Sequence, residues 1–168
     1  MDADWYALYV RSCAEGAVEE ALRFASISSF WPHSIGKGYR GAEVRRPFFP
    51  GYVFAELPDP GEQRHLLLRI PQIVRIVGCG DRPLAIPAVE IQAVRRVAEF
   101  AAELKAAAAP ARLIDEGQRV TIKHGPLRGI TGTAVYAKNA TRFIVSVQML
   151  GQAVSAEVDA SWLGKAAA

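Results

Sequence analysis

Strand-like patterns recur along the first part of the chain. Residues 5–10 (WYALYV) are aromatic and β-branched enough to form a strand, and residues 36–38 (GKG) form a glycine-rich turn before another. The stretch FFPGYVF at residues 48–54 also reads as a strand, interrupted early by a Pro-Gly pair. The pattern therefore predicts four strands, at residues 5–10, 39–46, 48–54 and 73–77.

Apolar residues at helical spacing separate these strands. Three segments show that spacing, at residues 14–25, 62–70 and 88–104. In the second, Leu66, Leu67 and Ile70 are expected to face inward, and the third carries one continuous apolar stripe. Strands and helices mix without a regular βαβ repeat. This indicates the α+β class, with helices packed on an antiparallel sheet.

The pattern changes after residue 104. Residues 105–112 (KAAAAPAR) are alanine-rich, contain Pro110 and predict a linker. Beyond them, short stretches alternate polar and apolar residues and are separated by glycine, proline and asparagine turns. Four or five strands in about fifty residues, without a helical stretch, predict a small closed or half-open β-barrel. We therefore expect domains at 1–104 and 113–168, joined by a linker at 105–112.

Both faces of the predicted sheet are apolar. Alternation from Tyr52 onward places Tyr52 and Phe54 on one face and Val53 and Ala55 on the other. Helices or the second domain could cover both faces, or one face could be a docking surface. Tyrosine suits a surface that is exposed at some times and covered at others, and we expect Tyr52 and Phe54 to face outward.

A turn near residue 50 and a loop near residue 149 are also of interest. Pro50 and Gly51 fit the central positions of a type II turn. In the last part of the chain, Ile144 belongs to a mostly polar strand face that is expected to point outward, while Met149 falls in the core register.

Charge is distributed unevenly. Residues 1–104 carry 12 Lys and Arg against 13 Asp and Glu, whereas residues 105–168 carry 8 against 4. The basic C-terminal part is compatible with RNA or ribosome contact. An RNA- or ribosome-binding protein would touch phosphate through a set of basic side chains, namely Arg119, Lys123, Arg128, Lys138 and Arg142.

Nothing in the sequence indicates catalysis. The three histidines share no metal-ligand spacing with one another or with a cysteine, and no serine lies in a nucleophile-elbow pattern. Glu19 and Glu20 lie on the polar side of a predicted helix and look like solvated charge. We therefore expect no enzyme, no metal site, no catalytic residues and no cofactor.

The two cysteines and the absence of a long apolar run bear on where in the cell the protein is located. Cys13 and Cys79 lie far apart and are expected to be free, buried thiols. The N-terminus lacks a basic leader, and no apolar run approaches the roughly 20 residues that cross a bilayer. We expect a soluble, cytoplasmic protein with no membrane partner.

Several segments together resemble the NusG family of bacterial transcription factors. They are, in family order, WYALYV, RRPFFPGYVF, RIPQIVRIVGCGDRPLAIP, EGQRVTIKHGPLRGITGTAVY and FIVSVQMLGQAVSAEVD. The resemblance runs from Trp5 to about Leu163. It implies an N-terminal NGN domain, an antiparallel sheet flanked by helices, tethered to a KOW domain, a five-stranded SH3-like β-barrel.

The resemblance also implies partners and site residues. In the family, the NGN domain docks on the clamp helices of the RNA polymerase β′ subunit, spans the cleft toward the β subunit and suppresses pausing. By motif position, the polymerase-binding residues would be Tyr9, Phe49, Pro50, Gly51, Tyr52 and Phe54. Tyr9 resembles an aromatic residue of the RfaH-like branch.

The KOW domain of the family recruits termination factor Rho or a small-subunit ribosomal protein. The corresponding loop here would be Met149, Leu150 and Gly151. A typical housekeeping member has an aromatic residue where Leu150 stands, which leaves Rho binding open and favours a specialised, RfaH-like paralogue. A contact with the nontemplate DNA strand also stays open, and we expect a monomer.

Overall fold

The computed structural model describes residues 3–104, 108–112, 117–137 and 140–166. It forms two compact units. Unit 1 comprises Met1–Pro32 and Phe49–Ala88, and unit 2 comprises His33–Phe48 and Val89–Ala168. Three helices and antiparallel sheets confirm the predicted α+β class.

The secondary structure follows the hydrophobic pattern closely in most places. In chain order, the elements are β1 (Asp4–Val10), α1 (Glu15–Phe24), β2 (Ser29–Phe30), β3 (His33–Lys37), β4 (Glu43–Pro47), β5 (Tyr52–Leu57), α2 (Pro60–Leu67), β6 (Ile73–Ile76), β7 (Gly78–Cys79), β8 (Arg82–Pro83), α3 (Ala88–Leu104), β9 (Ala108–Arg112), β10 (Gln118–Ile122), β11 (Thr131–Ala137), β12 (Ala140–Val147), β13 (Gln152–Val158) and β14 (Leu163–Lys165).

A four-stranded antiparallel sheet with the order β2-β5-β1-β6 is the centre of unit 1. One face of this sheet forms a core with α1 and α2. Val53 and Ala55 of β5 belong to that core, together with Val18 and Leu22 of α1. The predicted inward direction of Val53 and Ala55 is therefore confirmed.

Helix α2 begins earlier than its apolar pattern suggests. The Asp59 carboxylate accepts hydrogen bonds from the backbone N–H groups of Gly61 and Glu62, at 2.8 and 3.0 Å. This cap starts the helix at Pro60, a residue that suits the first helical turn. Leu67 is buried, whereas Leu66 is exposed, so the inward direction expected of Leu66 is wrong.

Strands β3 and β4 form a two-stranded hairpin within unit 2. Their pairing runs from His33 opposite Pro47 to Lys37 opposite Glu43. The predicted turn at 36–38 and strand at 39–46 are therefore shifted. The chain reverses instead at Tyr39–Gly41, where Arg40 and Gly41 adopt left-handed conformations with φ of 54° and 80°.

The rest of unit 2 contains a six-stranded antiparallel sheet with the order β14-β10-β11-β12-β13-β9. Strands β10–β14 are the five that the resemblance implies. Strand β9 adds a sixth at one edge, although its residues were predicted to be linker. Pro110 is compatible with this position because an edge strand can do without one backbone N–H.

Helix α3 has the bounds that its apolar stripe predicts and belongs to unit 2. Arg96 donates a 2.9 Å hydrogen bond to the Arg128 carbonyl, and the Phe100 ring packs edge-on against Trp162 at 6.4 Å. The units therefore do not divide at residue 104, and the domain boundaries 1–104, 105–112 and 113–168 stay a prediction.

Two further expectations concern the surface. Cys13 and Cys79 are free, as predicted, but both are exposed, so their predicted burial is wrong. Cys13 lies in the turn before α1 with φ of 60°, and Cys79 lies in a two-residue strand, so neither position is inside a core. Across the described residues, no helix combines the length and the apolar character that crossing a membrane demands.

Candidate functional site

The Pro-Gly pair between Phe49 and Tyr52 forms a tight turn. The Tyr52 N–H donates to the Phe49 carbonyl at 3.1 Å, and Gly51 has φ of 82°. A positive φ at the second central residue is what a type II turn requires. The predicted type II turn is therefore confirmed, and it places Tyr52 at the start of β5.

A buried carboxylate holds this turn in place. Glu15, the first residue of α1, accepts a 2.8 Å hydrogen bond from the Gly51 N–H. The carbonyl of the same residue, Gly51, accepts a 2.9 Å hydrogen bond from the Val10 N–H. The turn is thus tied both to α1 and to the end of β1.

Sequence reasoning missed this role of Glu15. The available signal was an acidic residue in the first turn of a helix, where the helix dipole favours negative charge. That signal does not identify the N–H that the carboxylate accepts from, because Gly51 is 36 residues away. Glu19 was likewise misread as solvated, since its carboxylate accepts from the Trp31 N–H at 3.1 Å.

We expect Gly51→Ala to lower the free energy of unfolding by about 1–2 kcal/mol, because an L-residue is strained at this φ. A β-carbon there would also lie 3.3 Å from Cε2 of the Tyr9 ring. Urea denaturation measures the change. Gly36→Ala is the matched control, because its β-carbon would meet only the Arg46 guanidinium at an ordinary 3.7 Å. Equal stability losses in the two variants would contradict the prediction.

Two tyrosines lie side by side next to the turn. Tyr9 of β1 is directly opposite Tyr52 of β5, and their ring centroids are 5.6 Å apart. Tyr9 is 39% exposed and Tyr52 is half-buried, while Pro50 is exposed. We call Tyr9, Pro50, Gly51 and Tyr52 the tyrosine surface.

A cation borders the tyrosine surface. Arg75 of β6 is the neighbour of Tyr9 on its other side, and its guanidinium carbon lies 5.6 Å from the centroid of the Tyr9 ring. A guanidinium at this distance is attracted to the ring face. The surface therefore combines an aromatic pair with a positive charge at its edge, which suits a partner that has apolar side chains and an acidic neighbour.

Phe49 and Phe54 do not lie on this surface. Both side chains are fully buried, and their rings meet edge to face with centroids 5.5 Å apart. Phe30 stacks near Phe54 with centroids 6.4 Å apart. The predicted outward position of Phe54 is therefore wrong, because neighbouring aromatic rings cover this end of the face. The two phenylalanines therefore belong to the interior next to the turn.

The predicted partner-binding loop of the C-terminal part lies between β12 and β13. Met149 and Leu150 are half-buried within a single 3₁₀ turn, Gln148–Leu150. Gly151 follows with φ of 61° and is exposed. Both apolar side chains of the loop are thus accessible in part. Met149 follows the core register of the alternation, but a bent turn can present either residue, and the chain is bent here.

Helix α3 contacts the beginning of that loop. The Glu90 carboxylate accepts a hydrogen bond from the Gln148 N–H at 3.3 Å. Partial burial raises the pKa of Glu90, and the hydrogen bond from Gln148 opposes that rise. The loop is therefore braced by a carboxyl group whose charge is partly desolvated.

Ile144 corrects the expectation for the neighbouring strand face. It is buried, although that face was predicted to point outward. Ile144 and Ala93 of α3 line the same cavity of about 390 Å³, so the helix lies over this part of the sheet. The alternation of residues in β12 could not show that a helix from another part of the chain lies over this face.

The basic side chains proposed to contact RNA are distributed over several elements of unit 2. Arg119, Lys123, Arg128 and Arg142 are exposed, and Lys138 lies outside the described residues. Arg119 lines the cavity next to α3, and Arg142 is opposite Glu157 on β13, which offsets part of its charge. Strand β11 separates the strands that carry Arg119 and Arg142.

Residues suited to a metal ion are dispersed. Within the described ranges, the structure brings no three or more His, Cys, Asp or Glu side chains together in a way that could hold an ion. The absence of a cofactor and of catalysis stays a prediction.

Comparisons with known proteins agree on one family. The family model described as "Transcription termination factor nusG" matches residues 3–95. The transcription termination/antitermination protein NusG of Vibrio vulnificus is 28% identical over 92% of this chain and 91% of its own length. The protein of that name from Escherichia coli K12 is 28% identical over 96% of both chains. A solved structure of Thermotoga maritima NusG, described as showing domain interaction, covers 98% of both chains with a TM-score of 0.59 and 22% identity.

Proposed function

Because this chain belongs to the NusG family of transcription factors, we propose that it is a bacterial elongation factor that binds the β′ clamp helices of RNA polymerase through the tyrosine surface. The observation that carries the proposal is the partly exposed pair of Tyr9 and Tyr52 beside a turn fixed by Glu15. Aromatic anchors on a rigid support are typical of binding hot spots. Phe49 and Phe54 would act indirectly, by supporting these anchors.

Such a factor needs no catalytic group. Binding that favours the closed clamp over the open one shifts the enzyme toward processive elongation through differential affinity alone. The N-terminal domain, proposed to span residues 1–104, would bridge from the clamp helices toward the β subunit and could meet the nontemplate DNA strand. Arg75 would pair with an acidic residue next to the apolar pocket of the clamp helices.

We also propose that the C-terminal KOW domain recruits a second partner through Met149, Leu150 and Gly151. A partly exposed apolar pair on a tight turn suits a small-subunit ribosomal protein or Rho. Leu150 at a position where housekeeping relatives carry an aromatic residue supports a specialised antitermination paralogue. We propose that the protein acts in the cytoplasm as a monomer.

The test is co-purification of tagged protein from extracts of its own cells. We expect RNA polymerase to be retained, together with ribosomal subunits or Rho. The same extract passed over the Tyr52→Ala protein should retain the second partner but lose polymerase. Retention of ribosomal subunits or rRNA by the wild type without polymerase would contradict the proposal and favour an RNA- or ribosome-binding protein without a polymerase role.

A further inference from the structure

The hairpin of β3 and β4 is an exposed ribbon. We call residues 33–48 the basic arm. Five consecutive residue pairs join its strands, from His33 opposite Pro47 to Lys37 opposite Glu43. Strand β4 is exposed from Glu43 to Arg46. A two-stranded ribbon with this much exposed backbone and side chain covers little core and is available to a partner.

Charge on the basic arm is mostly positive. It holds four of the 12 Lys and Arg in residues 1–104 but only one of the 13 Asp and Glu. The arm is therefore a positive projection in a part of the chain that is otherwise acidic. The net charge of residues 1–104 does not show this concentration of positive charge, because acidic residues outside the arm cancel it.

The cations occupy both faces of the ribbon. Arg45 is opposite Ile35, and Arg46 is opposite Ser34, so the two arginines point to different faces. Lys37 lies on the Arg45 face, two residues beyond Ile35, and Glu43 opposite it offsets part of its charge. A polyanion that surrounds the ribbon on two sides would meet positive charge on each side, whereas a flat protein surface would meet one face only.

The tip of the basic arm adds an aromatic ring. Tyr39 is 84% exposed, and the guanidinium carbon of Arg40 lies 5.2 Å from its ring centroid. Arg40 has φ of 54°, a conformation that turns the chain and carries the cation to the end of the ribbon. The tip thus presents a planar cation and a ring with a hydroxyl group, both of which contact nucleic acid backbones.

We propose that the basic arm inserts into the major groove of double-stranded DNA and binds its phosphates without sequence preference. The groove of B-form DNA, about 12 Å wide, admits a two-stranded ribbon. Five residue pairs extend about 17 Å, long enough to follow the groove between its two phosphate walls. Cations on both faces of the arm then point toward opposite walls.

Double-stranded RNA is a poorer fit for the same arm. The major groove of A-form RNA is deep and narrow, so side chains on a ribbon cannot enter it. The contact also differs from one to the nontemplate strand, which is single-stranded. The inference does not depend on the proposed polymerase contact, because the arm and the tyrosine surface share no residue.

The experiment measures binding of the full-length protein to fluorescent 20-base-pair duplexes by anisotropy, without polymerase and over a series of salt concentrations. The variant Lys37→Gln, Arg45→Gln, Arg46→Gln removes three charges from the arm and keeps long side chains. We expect it to lose at least about tenfold in affinity, with the salt slope reduced by about 2.7, since each phosphate contact contributes about 0.9. Two unrelated DNA sequences should give the same result.

The matched control removes three exposed cations from the other sheet, as Lys123→Gln, Arg128→Gln, Arg142→Gln. It should bind duplex DNA within about threefold of the wild type, because phosphate contacts made by the arm remain. Equal losses in the two triple variants, an arm variant that binds like the wild type, or an RNA duplex bound as tightly as DNA would each overturn the proposal. Thermal unfolding checks that both variants are folded.

Discussion

Replacing Tyr52 by alanine should abolish binding of this chain to the isolated clamp helices of the RNA polymerase β′ subunit. Tyr52 is accessible and lies 5.6 Å from Tyr9 on a turn that cannot easily rearrange. Truncating an aromatic anchor at the centre of an interface costs about 2–4 kcal/mol, which corresponds to a roughly 30- to 1,000-fold loss of affinity. Titration calorimetry with a purified clamp-helix fragment measures it.

A second exposed tyrosine provides the control for that experiment. Tyr136 on β11 is 58% exposed and belongs to the other unit, so Tyr136→Ala should leave the affinity unchanged. Thermal unfolding of Tyr52→Ala should stay close to that of the wild type, because the side chain is only half-buried. Unchanged clamp-helix affinity in Tyr52→Ala would remove the basis for the docking surface.

Phe49→Ala should behave differently and lower the free energy of unfolding by about 3–5 kcal/mol. The resemblance assigns Phe49 to the polymerase contact, and truncating a residue on a contact surface would leave the fold intact. Instead its ring is fully buried and packs edge-on against Phe54 at 5.5 Å. Removing it leaves a cavity next to the Phe54 ring. Urea denaturation measures the loss.

Phe24→Ala is the matched control for this core substitution, because Phe24 at the end of α1 is 80% exposed. We expect its stability to change by less than about 0.5 kcal/mol. If Phe49→Ala were as stable as Phe24→Ala and yet failed to bind the clamp helices, Phe49 would contribute to the contact directly. Its buried position would then not describe the form that binds.

The sequence predicted elements that local chemistry determines. Helix α3 has the bounds given by its apolar stripe, and the type II turn at Pro50 and Gly51 follows from the backbone preferences of two residues. The face of β5 that carries Val53 and Ala55 was correctly assigned to the core. In these cases, the residues that decide the structure are close together in sequence.

Features that depend on distant segments were predicted poorly. The alternation of polar and apolar residues shows which face of the strand carries Phe54 or Ile144. It does not reveal that aromatic rings cover Phe54 or that α3 lies near Ile144. Strand β9 is alanine-rich with weak intrinsic preference for a strand, and its pairing with β13 joins residues 40 to 48 positions apart. The glycines at 36 and 38 look like a turn, although the reversal occurs at Tyr39–Gly41.

The paired ends of the basic arm have a consequence for how its length can change. His33 and Pro47 are paired, so the chain enters and leaves the hairpin about 5 Å apart. Deleting two residues from each strand would shorten the ribbon while every remaining side chain kept its face, because side-chain direction repeats every two residues. The length of the ribbon can therefore change in steps of four residues without altering which side chains share a face.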